Sequence, residues 1–242
     1  MTTAIVLDTE TTGLDPAVDR LVEIAAIDVF SEKWHQALCN PGKPIPPETS
    51  AIHHIIDADV TDSPSPEFAL AACLEHFNYP EYLIAHNAKF DREMIAAILP
   101  SGYSPRWICT YKNAMVAWPH APNHKNQTLR YWRGHKPRVP EGLAPHRALY
   151  DVIVTREIFI DLISCAGTPR GFKEGEDIFA QMVSITANPI LLKKISFGKH
   201  AGKPFSEIDN GYLRWILQQD DMNEDVRWSA EHELRKRRGG PF

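Results

Sequence analysis

Ala4-Ile5-Val6-Leu7-Asp8-Thr9-Glu10-Thr11-Thr12-Gly13 is the stretch on which the fold turns. Its first four residues are an apolar run of strand length, and Asp8 ends that run. Thr11-Thr12-Gly13 then signals a turn. Side chains two apart on a strand share a face, so Asp8 and Glu10 sit side by side at the strand's end. Two carboxylates held together in this way are costly unless a cation balances them. Hard oxygen ligands suit Mg²⁺ or Mn²⁺ better than Zn²⁺. A bare Asp-x-Glu is also what a solvated acidic turn looks like, so the pair needs company elsewhere in the chain.

Outward from this strand the order of elements is informative. Leu21 to Phe30 reads as a second strand and Trp34 to Cys39 as a third, stopped by Pro41-Gly42. The short connections favour an antiparallel meander. Helical and extended signals then alternate: a helix start at Pro47-Glu48-Thr49-Ser50, a helix over Pro66 to Phe77, and a strand at Tyr82 to Ala85. A helix over Asp91 to Leu99 comes next, then a strand at Trp107 to Cys109 and a helix over Lys112 to Trp118. Asn123 to Pro140 reads as a polar, basic loop around a short helix, and Arg147 to Cys165 as a long helix. Three strands followed by alternation predict an α/β fold with a mixed sheet flanked by helices.

The character changes after Cys165. Ala166-Gly167-Thr168-Pro169-Arg170-Gly171 is a linker signal, so we expect a main domain over 1–165, a linker over 166–190 and a small C-terminal module over 191–242. From Leu191 onward there are ten Lys/Arg against eight Asp/Glu, mildly basic in a chain whose net charge is −5. The module is expected either to contact DNA through Lys199, Lys203, Arg214 and the Arg235 to Arg238 run, or only to pack through Phe197, Tyr212 and Trp215. Gly198-Lys199-His200-Ala201-Gly202-Lys203-Pro204 is no P-loop, because the spacing is short and Pro stands in place of Ser/Thr.

Two further patches match the first in chemistry. Asp91 closes His86-Asn87-Ala88-Lys89-Phe90-Asp91, after a strand and at a helix start, where an Asp can also be a plain N-cap. His146 and Asp151 lie in Pro145-His146-Arg147-Ala148-Leu149-Tyr150-Asp151. Five residues apart on one helix they would diverge by about 140°. They can converge if His146 precedes the helix and folds back. A histidine there suits a general base near neutral pH.

Together the three patches resemble the motifs of the DEDDh 3′→5′ exonuclease family, in the family's order, over residues 1 to 165. Phe197-Gly198-Lys199, Gly202-Lys203 and Gly211-Tyr212-Leu213-Arg214-Trp215 extend the resemblance towards the exonuclease X branch, which has a small module after the nuclease. The resemblance implies a ribonuclease-H-like fold and release of nucleoside 5′-monophosphates from DNA 3′ ends, single-stranded or duplex. It implies two cations, Mg²⁺ with Mn²⁺ able to substitute, held by Asp8, Glu10, Asp91 and Asp151, with His146 as general base. It also places Thr11, Gly13, Leu14, Ile52, His53, Asn87 and Phe90 around the terminal nucleotide. Lys89, Arg92, Lys125, Arg130, Arg133 and Lys136 could follow phosphates, with Tyr131 and Trp132 as stacking partners, though basic loop residues are often merely solvated. Two alternatives stay open: an exoribonuclease using the same five residues on RNA, and a non-catalytic nucleic-acid-binding module.

The totals set bounds. The 242 residues suit one generous domain or one with an appendage, and 43% hydrophobic content allows a core. Net acidity argues weakly against a phosphate-binding partner, but acidic metal ligands contribute to that sum. The four cysteines are widely spaced, without C-x-x-C, and are expected to be free thiols. No transmembrane helix and no signal peptide are expected, so the reading is cytoplasmic with no membrane partner. Nothing in the sequence sets the oligomeric state.

Overall fold

The computed structural model describes residues 2–165, 172–173 and 175–239. Among these, five strands form one mixed sheet: β1 (Ala4–Thr11), β2 (Leu21–Asp28), β3 (Trp34–Leu38), β4 (Tyr82–Ala85) and β5 (Arg106–Cys109), in the order β3-β2-β1-β4-β5. β1 is central, antiparallel to β2 and parallel to β4. Helices pack on both faces of the sheet, so the apolar run of β1 is covered and Ala4 to Leu7 are fully buried. β2 stops at Asp28, earlier than expected, because the Asp28 carboxylate accepts the N–H groups of Phe30 and Ser31 and turns the chain.

Helices follow in chain order: α1 (Pro47–His53), α2 (Asp57–Val60), α3 (Pro66–His76), α4 (Lys89–Ile95), α5 (Thr110–Ala117), α6 (Asn126–Arg133), α7 (Ala148–Ser164) and α8 (Ile178–Ala187). The start of α3 is set by Pro66 at its first position and by the Ser65 hydroxyl, which accepts from Phe68 N–H. The helix expected over Asp91 to Leu99 begins at Lys89 and gives way to a 3₁₀ turn at Ala96–Ile98. α6 ends on Gly134 in the left-handed region (φ 76°), which a residue without Cβ adopts at no steric cost.

The alternation along β1 sorts the core into two layers. Ala4 and Val6 face a cluster with α5, α6, α7 and α8, while Ile5 and Leu7 face α3 and α4. Asp8 and Glu10 continue the first face and Thr9 the second.

The chain divides into two compact units, Met1–Thr186 and Ala187–Phe242. The linker expected over 166–190 needs correction in its second half; Ala166 to Gly171 lie outside the described residues. Residues 178–187 form α8, whose Met182 is fully buried in the first unit's core. The Thr186 hydroxyl accepts from Cys109 N–H at 2.8 Å, and the Asn113 amide donates to the Met182 carbonyl at 3.2 Å. The apolar spacing of Ile178, Phe179, Met182 and Val183 is that of a packed helix. The second unit has its own core, built by α9 (Asn210–Leu217) and α10 (Glu224–Arg237) around Ile195, Phe205, Leu213 and Ile216. Arg237 ties α10 to the preceding turns by donating to the carbonyls of Phe205, Ser206 and Ile208. One residue of the basic run is thus structural. All four cysteines are free and buried.

Candidate active site

Two elements of different origin meet at the end of β1. Asp8 and Glu10 leave its α7-facing side, and Asp151 sits in the first turn of α7. The ligand oxygens of these three carboxylates lie within 4.8 Å of one another, close enough to share an ion. Asp91 comes from the other side of the sheet. It is buried in the first turn of α4, and its Oδ1 accepts from the Thr9 hydroxyl at 2.9 Å. The face alternation thus explains why Asp8, Glu10 and Asp151 cluster, while Asp91 is held on the Thr9 side and acts on Asp8 by its charge.

His146 precedes α7 and adopts φ 64°, so His146 and Asp151 do not lie on one continuous helix. Its backbone N–H donates to Asp151 Oδ2 at 2.9 Å, which folds the loop over the helix start. The imidazole is on an exposed residue at the rim.

The electrostatics are those of anions crowded in a poorly hydrated place. Burial lifts the Asp8 carboxyl well above the usual carboxylate range, and Asp91, Asp151 and Glu10 add to the effect. Burial pushes Glu10 up to about 9, with Asp151, Glu23 and Asp91 acting the same way and Arg147 opposing. Asp91 rises to about 7 through burial, against the Thr9 hydroxyl that favours its anion. Burial also raises Asp151, although the His146 N–H pulls it back. Protons or cations must balance this charge.

The residues expected around a terminal nucleotide lie on neighbouring loops. Thr11 is buried and its hydroxyl donates to the Gly13 carbonyl at 2.6 Å. A Cβ at Gly13 would lie 2.3 Å from Asp19 Oδ2, so the loop demands glycine there. Asp19 also accepts from the Thr12 hydroxyl and from Asp15 N–H, fixing the turn that presents Leu14. Leu14 is 82% exposed and Ile52 is 51% exposed, so both offer apolar surface to solvent. His53 is buried instead; its Nδ1 accepts from Ile55 N–H, and burial holds the imidazole below its usual pKa range. Asn87 takes the left-handed region (φ 66°), and Phe90 packs against the α3–α4 side of the core.

Glu23 escaped the sequence reading. It stands opposite Glu10 in the β1–β2 register and is fully buried. Like charges face to face are unfavourable. Arg147 relieves this with a two-pronged bond, Nη2 to Oε1 at 2.7 Å and Nε to Oε2 at 3.1 Å. Ala148 N–H and the Gln36 amide also donate to Glu23. This pair anchors the start of α7, and hence Asp151, to β2. The signal was a lone acid inside the apolar run Leu21-Val22-Glu23-Ile24-Ala25. Gln127 of α6 was also missed; its amide donates to Asp151 Oδ1 at 3.4 Å.

Comparison with known proteins matches this geometry. The RNase T family model, described as exonuclease, matches residues 5–159. Exodeoxyribonuclease 10 of Escherichia coli (strain K12) is 36% identical over 95% of this chain and 97% of its own length. The DNA polymerase III subunit epsilon of Treponema pallidum is 32% identical over 65% of this chain and 74% of its own. Among solved structures, exonuclease X in complex with 5′ overhanging duplex DNA superimposes with a TM-score of 0.60 at 35% identity, covering 76% of this chain and 99% of that one. The mixed sheet and its flanking helices are those of the ribonuclease-H-like exonucleases.

Proposed function

The chain belongs to the RNase T exonuclease family, and from that premise we infer how its geometry shortens DNA. It is a metal-dependent exodeoxyribonuclease that works from 3′ ends and releases nucleoside 5′-monophosphates. The observation that carries this reading is the meeting of Asp8, Glu10 and Asp151 within 4.8 Å, with their carboxyl groups pushed towards protonation by burial.

Such a donor set fits hard divalent cations, which replace the protons and cancel the charge. Asp8, Glu10, Asp91 and Asp151 would hold two Mg²⁺ ions, with Mn²⁺ able to substitute. When bound, these ions supply an acidified water and neutralise charge on the scissile phosphate. The chain's own groups do the rest. The His146 imidazole takes the water's proton, and its loop is aimed by the N–H bond to Asp151. Leu14 and Ile52 lay their exposed side chains against the terminal base, while Thr11, Gly13, His53, Asn87 and Phe90 shape the pocket that receives it.

The test uses a 5′-labelled DNA strand, single-stranded and duplex, with a matched RNA strand. Each is incubated with Mg²⁺, with Mn²⁺, with EDTA, and with the Asp8→Ala protein. A Mg²⁺-dependent ladder shortening from the DNA 3′ end, absent in the variant, is the expected outcome. A ladder on RNA alone would overturn the substrate, and no cleavage with either metal would leave a binding module.

A further inference from the structure

The mechanism above leaves α6 unused, although this helix touches the metal-ligating Asp151 through Gln127. Residues three and four apart share a helix edge, so Gln127, Arg130 and Tyr131 line one side of α6, about one turn in length. Along that edge the contacts change from half-buried to open. The Arg130 Nη1 donates to Gln127 Oε1 at 3.3 Å and to the hydroxyl of Tyr150, the residue before Asp151. Its guanidinium stacks 5.1 Å from the Tyr131 ring and 5.6 Å from the Tyr150 ring. Tyr131 itself is 74% exposed. The next aromatic, Trp132, packs edge-on to Trp118 and has a different environment.

Charge distinguishes Arg130 from its half-buried neighbours. Arg133 is paired with Asp161, Arg147 with Glu23, and Arg156 with Glu32 and Glu157. Arg130 faces no carboxylate within 4 Å among the described residues; its charge rests on aromatic rings. α6 contains no acidic residue, and exposed Lys125 and Lys136 flank it. A cation left unneutralised on an exposed aromatic face, continuous with a nuclease site, complements a phosphate beside an unpaired base.

We propose that the Gln127–Arg130–Tyr131 edge of α6 is a further subsite for the DNA strand being shortened, where Tyr131 stacks on an unpaired base and Arg130 meets the adjoining phosphate. It rests on the exonuclease reading and adds a nucleotide contact outside the terminal pocket. The flat face of Tyr131 accepts any base, so the contact adds affinity without sequence preference.

Two measurements on the full chain test this. In the first, single-stranded DNA carries 2-aminopurine at successive positions and ends in phosphorothioate linkages that resist hydrolysis. In Mg²⁺, quenching on binding is expected at one internal position, lost in Tyr131→Ala and kept in Tyr131→Phe. In the second, steady-state cleavage of a labelled single strand is expected to show KM raised about tenfold in Tyr131→Ala, with kcat changed less than about twofold. Tyr131→Phe restores KM. Tyr131→Ala matching the natural protein in both assays, or Tyr131→Phe failing as alanine does, overturns the subsite. The binding assay needs no turnover, so failure of the subsite is separable from failure of the exonuclease reading.

Discussion

At the scale of single residues, the carboxyl groups control how the protein responds to pH. Glu10 titrates near 4.5 in an unfolded chain and at about 9 in the fold, mainly through burial. Between those values the folded protein holds more protons than the unfolded one, so stability falls as pH rises. Asp91, raised from 3.8 to about 7, acts in the same direction over a lower window. In EDTA, melting temperature is therefore expected to decline from about pH 5 to pH 9. Divalent cations, which bind the anions, should flatten or reverse the slope, and Glu10→Gln should weaken it in EDTA. Melts across this range check the sign; a profile in EDTA that rises towards pH 9 would refute the burial argument. His146 makes a different prediction, because only its ring is assigned to chemistry. His146→Ala should lower turnover by roughly 10²- to 10⁴-fold. The backbone N–H to Asp151 survives that substitution, so the cation-induced rise in melting temperature should persist. Turnover unchanged at neutral pH would sink the general-base assignment.

At the scale of elements, the site depends on how α7 is fastened to β2. Glu23 is fully buried opposite Glu10, and Arg147 satisfies it from the residue before α7 begins. Arg147→Ala leaves a buried carboxylate among other acids and is expected to destabilise the fold by about 3–5 kcal/mol. In the Glu23→Gln/Arg147→Ala pair, much of that loss should be recovered, since the neutral amide leaves no stranded charge. Urea denaturation of the two singles and the double decides it, and simple additivity would show that the pair is not coupled. This contact also shows where sequence reading stops. Asp8, Glu10, Asp91, His146 and Asp151 were expected because their three patches together resemble the family's motifs; taken singly, each also reads as an acidic turn, an N-cap or a loop histidine. Helix geometry showed only that His146 must precede the helix if it is to converge with Asp151, and in the structure it does precede α7. Glu23 was not legible as a partner of Arg147, since 124 residues separate them and only the sheet brings them together. α8 was hidden for another reason: it follows a Gly- and Pro-containing stretch whose local signals say linker, while its burial comes from α5 and the core beneath it. The central position of β1 is likewise tertiary, set by parallel pairing with β4.

At the scale of the whole molecule, the division between Thr186 and Ala187 makes a thermodynamic prediction. Every carboxylate assigned to the cations lies in the first unit, and the second has a separate core around Leu213 and Ile216. No helix among the described residues is long and apolar enough to cross a membrane. A ligand that binds only the folded state stabilises it by RT ln(1 + [L]/Kd), about 2.7 kcal/mol at a hundredfold excess over Kd. For a unit of this size that corresponds to a rise of roughly 5–10 °C. Because the linkage belongs to the unit holding the acids, a chain ending at residue 186 should show the same Mn²⁺- or Mg²⁺-induced rise as the full chain. Asp8→Ala should reduce it in both. The chain ending at residue 186 should also keep the metal-dependent 3′ ladder, since no residue assigned to catalysis lies beyond that point. Calorimetry of the two chains with and without cation provides the measurement. If the shortened chain folds, as judged by a cooperative transition in EDTA, yet loses the cation response, the second unit takes part in forming the metal site and the assignment of all ligands to residues 8–151 is wrong.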